Sequence, residues 1–225
     1  MPRLDVWLVE RGRFLSRQAA KRAINNGLVT VNGQICKPST KVSEKDKIEL
    51  LSSEIDVPQG FLKLKELDQR LQDTLVSKNS MALDIGSSAG GFLVYLAEKG
   101  ASVVGIEVSE RFTEELNAIM YRYPLVSVIF ADAFHIDLNT IVGNRKLDLL
   151  LIDVTTNPEG TLKLIERFSP LLKVTGRMLS AFKLHSKSEK LAHLKTLISQ
   201  LGYAQVQEII LDETRQEVHI TAIHL

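Results

Sequence analysis

Cysteine is nearly absent from this chain of 225 residues, in which Cys36 stands alone. One thiol excludes an internal disulfide and cannot by itself build a zinc site, so a reducing compartment, the cytoplasm, is expected and Cys36 reads as a small packed residue. Long apolar runs are absent too. Leu147–Ile152 is one of the longest, far short of the roughly 20 residues a membrane helix needs, and the polar, basic N-terminus carries no signal-like stretch. Neither membrane insertion nor secretion is expected. The five histidines show no ligand spacing, so no metal is expected, and His219 and His224 are assigned to the surface or packing of the last strand. Charge of one sign is missing overall, the net being +1. It is unevenly spread, because residues 1–50 hold ten Lys/Arg against five Asp/Glu and the remainder is acidic. That segregation suggests a nucleic-acid contact on one domain and a different task on the other, with a merely solvated basic face as the alternative.

What is present begins with two short helices and a hairpin. Leu4, Trp7 and Leu8 make an apolar stripe that Gly12 can end. Ser16 is placed to cap a helix over 17–26 that buries Ala19, Ala20, Ala23 and Ile24 and stops at Gly27. Asn32-Gly33 between VTV and QI is a strong tight-hairpin signal. Residues 1–50 thus read as a small α+β domain, 51–59 as a linker with Pro58, and 60–225 as a second domain.

In that second domain strands and helices alternate. Helices are expected over 62–76, 92–99, 110–121, 160–172 and 188–201, with strands between them and a final strand near 177–182 before two extended runs at the end. The fold class is therefore α/β: a Rossmann-like, doubly wound sheet with an antiparallel last strand, the form that S-adenosylmethionine (SAM) methyltransferases take.

The stretch LDIGSSAGG, 83–91, runs an apolar strand into a glycine-rich turn and a helix from about Phe92, leaving backbone amides facing a ligand. Asp84, Gly86, Ser87, Ser88, Gly90, Gly91 and Phe92 are its candidate contacts. Glu107 ends the next strand, where a carboxylate can accept both ribose hydroxyls. GSSAGG lacks the close G-x-G-x-x-G approach used for a pyrophosphate, and SAM has no phosphate to cradle, so SAM is favoured over NAD. Asp84 either bonds the amides of the turn or lies near the cofactor's ammonium. Asp132 and Ala133, in FADAF, face the adenine, or Asp132 caps the following turn. Asp153 ends LLLID, and 154–160 reads as either the lip of the site or an ordinary turn.

Two resemblances follow. S16-R-x-x-A-x-x-x-I, the G-x-V-x-V-N-G hairpin and K37-P-S-x-x-V resemble the S4 RNA-binding domain, which implies a surface for structured RNA with Arg13, Arg17, Lys21, Arg22 and Lys37 placed on it. Residues 60–225 resemble the FtsJ/RrmJ ribosomal RNA 2'-O-methyltransferase superfamily, and the two together have the layout of the TlyA/hemolysin A family. That superfamily's Lys-Asp-Lys-Glu set has matches in Lys63 of GFLKL, Asp153, Lys183 after MLSAF, and Glu217 in RQEVHITA, similar to S-R-E-V-Y. Gln59, Phe61, Ala89 and FKLHSK depart from the family's pattern.

The resemblance implies a cytoplasmic, SAM-dependent methyltransferase acting on a ribose 2'-hydroxyl of rRNA. A non-catalytic RNA-binding or ribosome-assembly factor, a base-directed methyltransferase and a membrane-damaging hemolysin are the other readings. In such an enzyme Lys183 is expected to orient and deprotonate the hydroxyl, its pKa lowered by burial and by Lys63. Asp153 would position Lys183 beside the sulfonium, and Glu217 would hold Lys63 or the ribose.

Overall fold

The structure is a computed structural model that describes residues 1–14, 16–51, 58–143, 145–184 and 189–225, with residues 59 and 142 described by their backbone alone. Most of the expected linker and part of FKLHSK lie outside the described residues.

The N-terminal part forms α1 (Leu4–Glu10), α2 (Arg17–Asn25), β1 (Val29–Val31), β2 (Gln34–Ile35) and β3 (Ile48–Leu50). Its sheet is antiparallel in the order β2-β1-β3. Ser16 caps α2 by accepting a bond from the Ala19 amide at 3.2 Å. The turn between β1 and β2 needs two successive left-handed residues, and Asn32 and Gly33 supply them at φ 53° and 79°. Leu4, Leu8, Ala20, Ile24 and Val29 close a core of their own. Asp5 is buried beneath it and held by Arg3 at 2.9 Å and Arg17 at 3.1 Å.

The rest of the chain runs α3 (Gln59–Arg70), β4 (Met81–Ile85), α4 (Gly91–Glu98), β5 (Ser102–Glu107), α5 (Thr113–Arg122), β6 (Val126–Phe130), α6 (Asn139–Val142), β7 (Leu147–Ile152), α7 (Pro158–Phe168), β8 (Leu172–Phe182), α8 (Lys190–Gln200), β9 (Tyr203–Ile209) and β10 (Val218–His224). The seven strands order as β6-β5-β4-β7-β8-β10-β9. Neighbours from β6 to β8 are parallel, and β10 is antiparallel to both β8 and β9. Alternate residues of the central strands enter opposite cores: Leu150 and Ile152 join the cluster of Phe168 and Phe182, whereas Leu149 and Leu151 join that of Leu64 and Leu93. Helices cover both faces, which is why β7 reads as an almost unbroken apolar run.

Several boundaries differ from expectation. The helix expected over 62–76 ends at Arg70, because the buried Asp68 turns the chain back: its carboxylate accepts the Leu75 amide at 2.9 Å and the Tyr95 hydroxyl at 2.6 Å. Gln72 and Asp73 adopt left-handed backbone to make that turn. The helix expected over 110–121 opens with a 3₁₀ turn, Glu110–Phe112, before α5. The one expected from 160 begins at Pro158, capped by Asn157 through the Gly160 amide, and gives way to 3₁₀ after Phe168. The strand expected from 177 starts at Leu172 and passes an irregularity in its pairing with β7.

Candidate active site

The parallel strands end at one edge of the sheet, and the glycine-rich turn lies there. Gly86 follows β4 at φ 89°, and a Cβ on it would stand 2.4 Å from the Asp153 carbonyl, so only glycine lets the first and fourth strand ends approach this closely. The amides of Gly86 and Ser87 donate to the Ile106 carbonyl, and Glu107 accepts the amides of Ser88 and Ser109, each at 2.7 Å. Glu107 therefore braces the turn it was expected to face across a ligand, with lone pairs to spare on both oxygens. A second close approach sits beside it. A Cβ on Gly91 would meet Gly60 Cα at 2.7 Å, so α3 crosses α4 nearly backbone to backbone, which brings Lys63 to the edge.

Asp84 is buried, and neither carboxylate oxygen has a hydrogen-bond partner. Its burial, with the charges of Asp153 and Glu107, outweighs the lowering influence of the nearby Ser87 hydroxyl and pushes its carboxyl up to about 7. Of its two expected alternatives, bonding to the turn amides is overturned, since those amides go to Ile106 and Glu107. Asp132 is exposed and caps its own turn, accepting the Phe134 amide at 2.9 Å and facing His135 Nδ1 at 2.8 Å. Ala133 is buried next to it, and its carbonyl is held by Arg167 Nε.

Lys63, Asp153, Lys183 and Glu217 close into a ring. Lys63 Nζ lies 2.7 Å from Asp153 Oδ2 and 2.6 Å from Glu217 Oε1. Lys183 Nζ lies 3.2 Å from Asp153 Oδ1 and contacts Glu217 Oε2. Each lysine thus bridges both carboxylates, and each carboxylate spends one oxygen on each lysine. Burial would raise the Asp153 carboxyl, but Lys63 and Lys183 outweigh it and hold it below the usual range. Glu217 is held low as well, by His219 first and then, against its burial, by the two lysines.

Lys183 corrects an expectation. Burial does act to lower its pKa, but Asp153 and Glu217 more than offset it and the pKa is raised. Proximity to Lys63 does not decide the matter, because both cations share the same two anions.

Beside the ring stands His219, which the sequence assigns only to the surface or packing of the last strand. It is buried, as packing was expected to make it, and its Nε2 lies 3.3 Å from Glu217 Oε1. The signal was available: residues two apart on a strand share a face.

Lys63, Asp153 and Glu217 of the ring line a cavity of about 950 Å³, at the upper end of ligand-pocket sizes, together with Gly86, Ser87, Ser88, Gly91 and Phe92. Of the expected site residues, Asp84, Gly90, Glu107, Asp132, Ala133 and Lys183 are not among those lining it. Of the basic residues placed on the N-terminal surface, Arg13 and Lys37 are exposed and Lys21 is half-buried. Arg17 is engaged by the buried Asp5, which gives it a structural partner. Arg22 stands at the cavity, 3.9 Å from Glu115. Among the described residues no cluster of His, Cys, Asp and Glu suits a metal ion, and no helix is long and apolar enough to cross a membrane.

This sheet order, with the glycine turn and charged ring at one edge, defines a Rossmann-like methyltransferase fold. The FtsJ-like methyltransferase model matches residues 57–206 and an S4 domain model matches residues 2–48, and the chain belongs to the FtsJ-like methyltransferase family. It is 39% identical over 102 residues to "Putative rRNA methyltransferase YqxC" of Bacillus subtilis, covering 44% of this chain and 35% of that protein. It is 26% identical over 164 residues to "Hemolysin A" of Brachyspira hyodysenteriae, covering 62% of this chain and 65% of that one. The chain thus spans about a third of the first relative and under two thirds of the second. Among solved structures, Aeropyrum pernix fibrillarin in complex with natively bound SAM superposes with a TM-score of 0.59 at 20% identity, over 70% of this chain and 74% of that one. A "Putative hemolysin from Streptococcus thermophilus" gives a TM-score of 0.59 at 18% identity, over 99% and 88%. At those identities the likeness is one of fold.

Proposed function

We propose that this protein is a cytoplasmic methyltransferase that uses SAM to methylate a ribose 2'-hydroxyl of ribosomal RNA, with the N-terminal domain holding the RNA. The observation that carries the reading is the closed ring of Lys63, Asp153, Lys183 and Glu217 beside the glycine turn. The relatives named for rRNA methylation and the S4 match support the choice of substrate.

The residues present fit the cofactor. Asp84 is a buried carboxylate with no partner, which a cationic group satisfies, and the turn at Gly86 is closed to any Cβ. Glu107 keeps lone pairs free for ribose hydroxyls although it braces two amides. Asp84, Ser87, Ser88, Gly90, Gly91, Phe92 and Glu107 would hold SAM, which when bound supplies an electrophilic methyl group on a sulfonium. Asp132 and Ala133, at the end of β6, would meet only the outer part of the adenosine.

The chain's own task is then to aim a hydroxyl oxygen and remove its proton. Lys63 lines the cavity and Lys183 joins it through the same two carboxylates, so an oxygen that reaches the ring is oriented before it reacts. Lys183 accepts the proton. Its raised pKa keeps it charged at rest, so it first gives its ammonium proton to solvent, and the neutral amine left behind is the form that takes the hydroxyl proton. General-base assistance of this kind is worth about 10² to 10⁴ in rate.

The test is methyl transfer from labelled SAM to rRNA and to intact ribosomal subunits from cells lacking the protein, followed by nucleoside analysis. Label in a 2'-O-methyl nucleoside is the expected result. Label in a base moves the reaction to a different acceptor, and SAM binding without any transfer makes the protein a binding factor that retains the fold.

A further inference from the structure

The cavity beside the ring is lined by two distant parts of the chain as well. Arg22 comes from α2 and Arg215 from the segment between β9 and β10, and both line the cavity that also exposes Lys63, Asp153 and Glu217. A nucleoside brought to the ring carries a phosphate on either side, and those phosphates need cations that are not already neutralised. Lys63 and Lys183 are committed to two carboxylates each. Among the described residues lining the cavity, the cations outside the ring are Arg22 and Arg215.

Both guanidinium groups are loosely held. Arg22 is 45% exposed and stands 3.9 Å from Glu115 Oε1, beyond hydrogen-bond distance. Arg215 is 76% exposed and has Asp212, three residues away, at 3.3 Å. Exposed pairs of this kind contribute little, so a phosphate that accepts two parallel N–H bonds from a guanidinium can displace either carboxylate. Arg17, on the same helix as Arg22, differs in being fixed on a fully buried carboxylate.

We propose that Arg22 and Arg215 form a two-sided phosphate clamp at the mouth of the ring, gripping the backbone phosphates that flank the target ribose of a structured RNA. The N-terminal domain is then a wall of the substrate site as well as a tether. This rests on the reading of the protein as an RNA methyltransferase, and it adds which contacts place the substrate.

The experiment measures binding of the full chain to intact rRNA across a salt series, with SAM affinity followed separately by calorimetry. Arg22→Ala and Arg215→Ala are each expected to weaken RNA binding about five- to tenfold and to reduce the slope of log K against log salt by about one. SAM affinity should stay within about twofold, and Arg22→Lys should restore the slope. Glu115→Gln removes the domain contact and leaves the phosphate ligand, so the salt slope should hold. If Glu115→Gln reproduces the loss seen in Arg22→Ala, Arg22 acts through domain packing and the clamp is overturned. Wild-type protein that binds rRNA while both alanine variants are unchanged overturns the clamp alone. Wild-type protein that does not bind rRNA overturns the RNA reading and the clamp together.

Discussion

Lys63 and Asp153 stand ninety positions apart in the chain and 2.7 Å apart in space. That contact joins α3 to the end of β7, and it is half of what fixes Asp153 in the ring. Asp153→Asn keeps the shape and removes the charge that both lysines share. Methyl transfer should fall by about 10² or more, since two oriented donors are lost at once. Single-turnover rates at saturating SAM and RNA check this, with circular dichroism expected to be unchanged.

Gly86→Ala should damage both fold and site. The added methyl has no room 2.4 Å from the Asp153 carbonyl, and φ 89° is strained for any L side chain. A loss of about 1–3 kcal/mol in urea unfolding is expected from the backbone alone, with the contact adding to it. SAM affinity should drop in parallel.

The ring sets a pH window. Asp153 and Glu217 have lowered pKa values, so their stabilisation is present above the ordinary carboxylate range and is lost as pH falls through the folded values. The Lys183 pKa is raised, so its contribution holds below the ordinary lysine range and is lost as pH rises through the folded value. Stability should therefore be flat between about pH 5 and pH 10 as far as the ring is concerned. Within that window the rate of methyl transfer should climb with pH, because the neutral form of Lys183 is the scarce one. A rate that is level from pH 7 to pH 9 would sink its role as the base.

His219→Phe removes the first of the influences that hold Glu217 low. The Glu217 carboxyl should then titrate at a higher pH, and the acid edge of the rate profile should move with it. Carbon-13 NMR of labelled Glu reads the titration without depending on activity.

Asp68→Ala strips the Leu75 amide and the Tyr95 hydroxyl of a buried acceptor. The cost should be about 1–3 kcal/mol for each buried group left unpaired, seen as a lower midpoint in thermal unfolding. Since Asp68 sits at the far end of α3 from Lys63, RNA affinity should change far less than stability.

Features set by neighbours in sequence were readable from the sequence. Ser16 and Asn32-Gly33 do locally what their residue types dictate, and the strand-to-turn transition at Gly86 announces itself in LDIGSSAGG. Where a distant contact decides, pattern alone misleads. Helix α3 has helix-forming residues beyond Arg70 and stops because Asp68 recruits an amide and a hydroxyl. Lys183 was expected to lose its proton easily because sequence motifs supply neighbours without directions, and direction gives each carboxylate one oxygen per lysine. Arg22 is legible as a basic surface residue, but its place in the lining of the cavity depends on how α2 meets α5, which no local pattern encodes.

The antiparallel course of β10 decides which end of the sheet Glu217 occupies. Glu217 immediately precedes β10, and Val218 pairs with Phe182 at the finishing end of β8, one residue before Lys183. Were β10 to run the other way in the same slot, its seven residues would carry its leading end about 20 Å off to the opposite margin of the sheet. Lys63 and Lys183 would then face each other across a single carboxylate, two cations repelling over one anion. Reversing one strand is how a sheet whose parallel strands all finish at one margin can also place a strand's beginning there, and the electroneutrality of the ring depends on it.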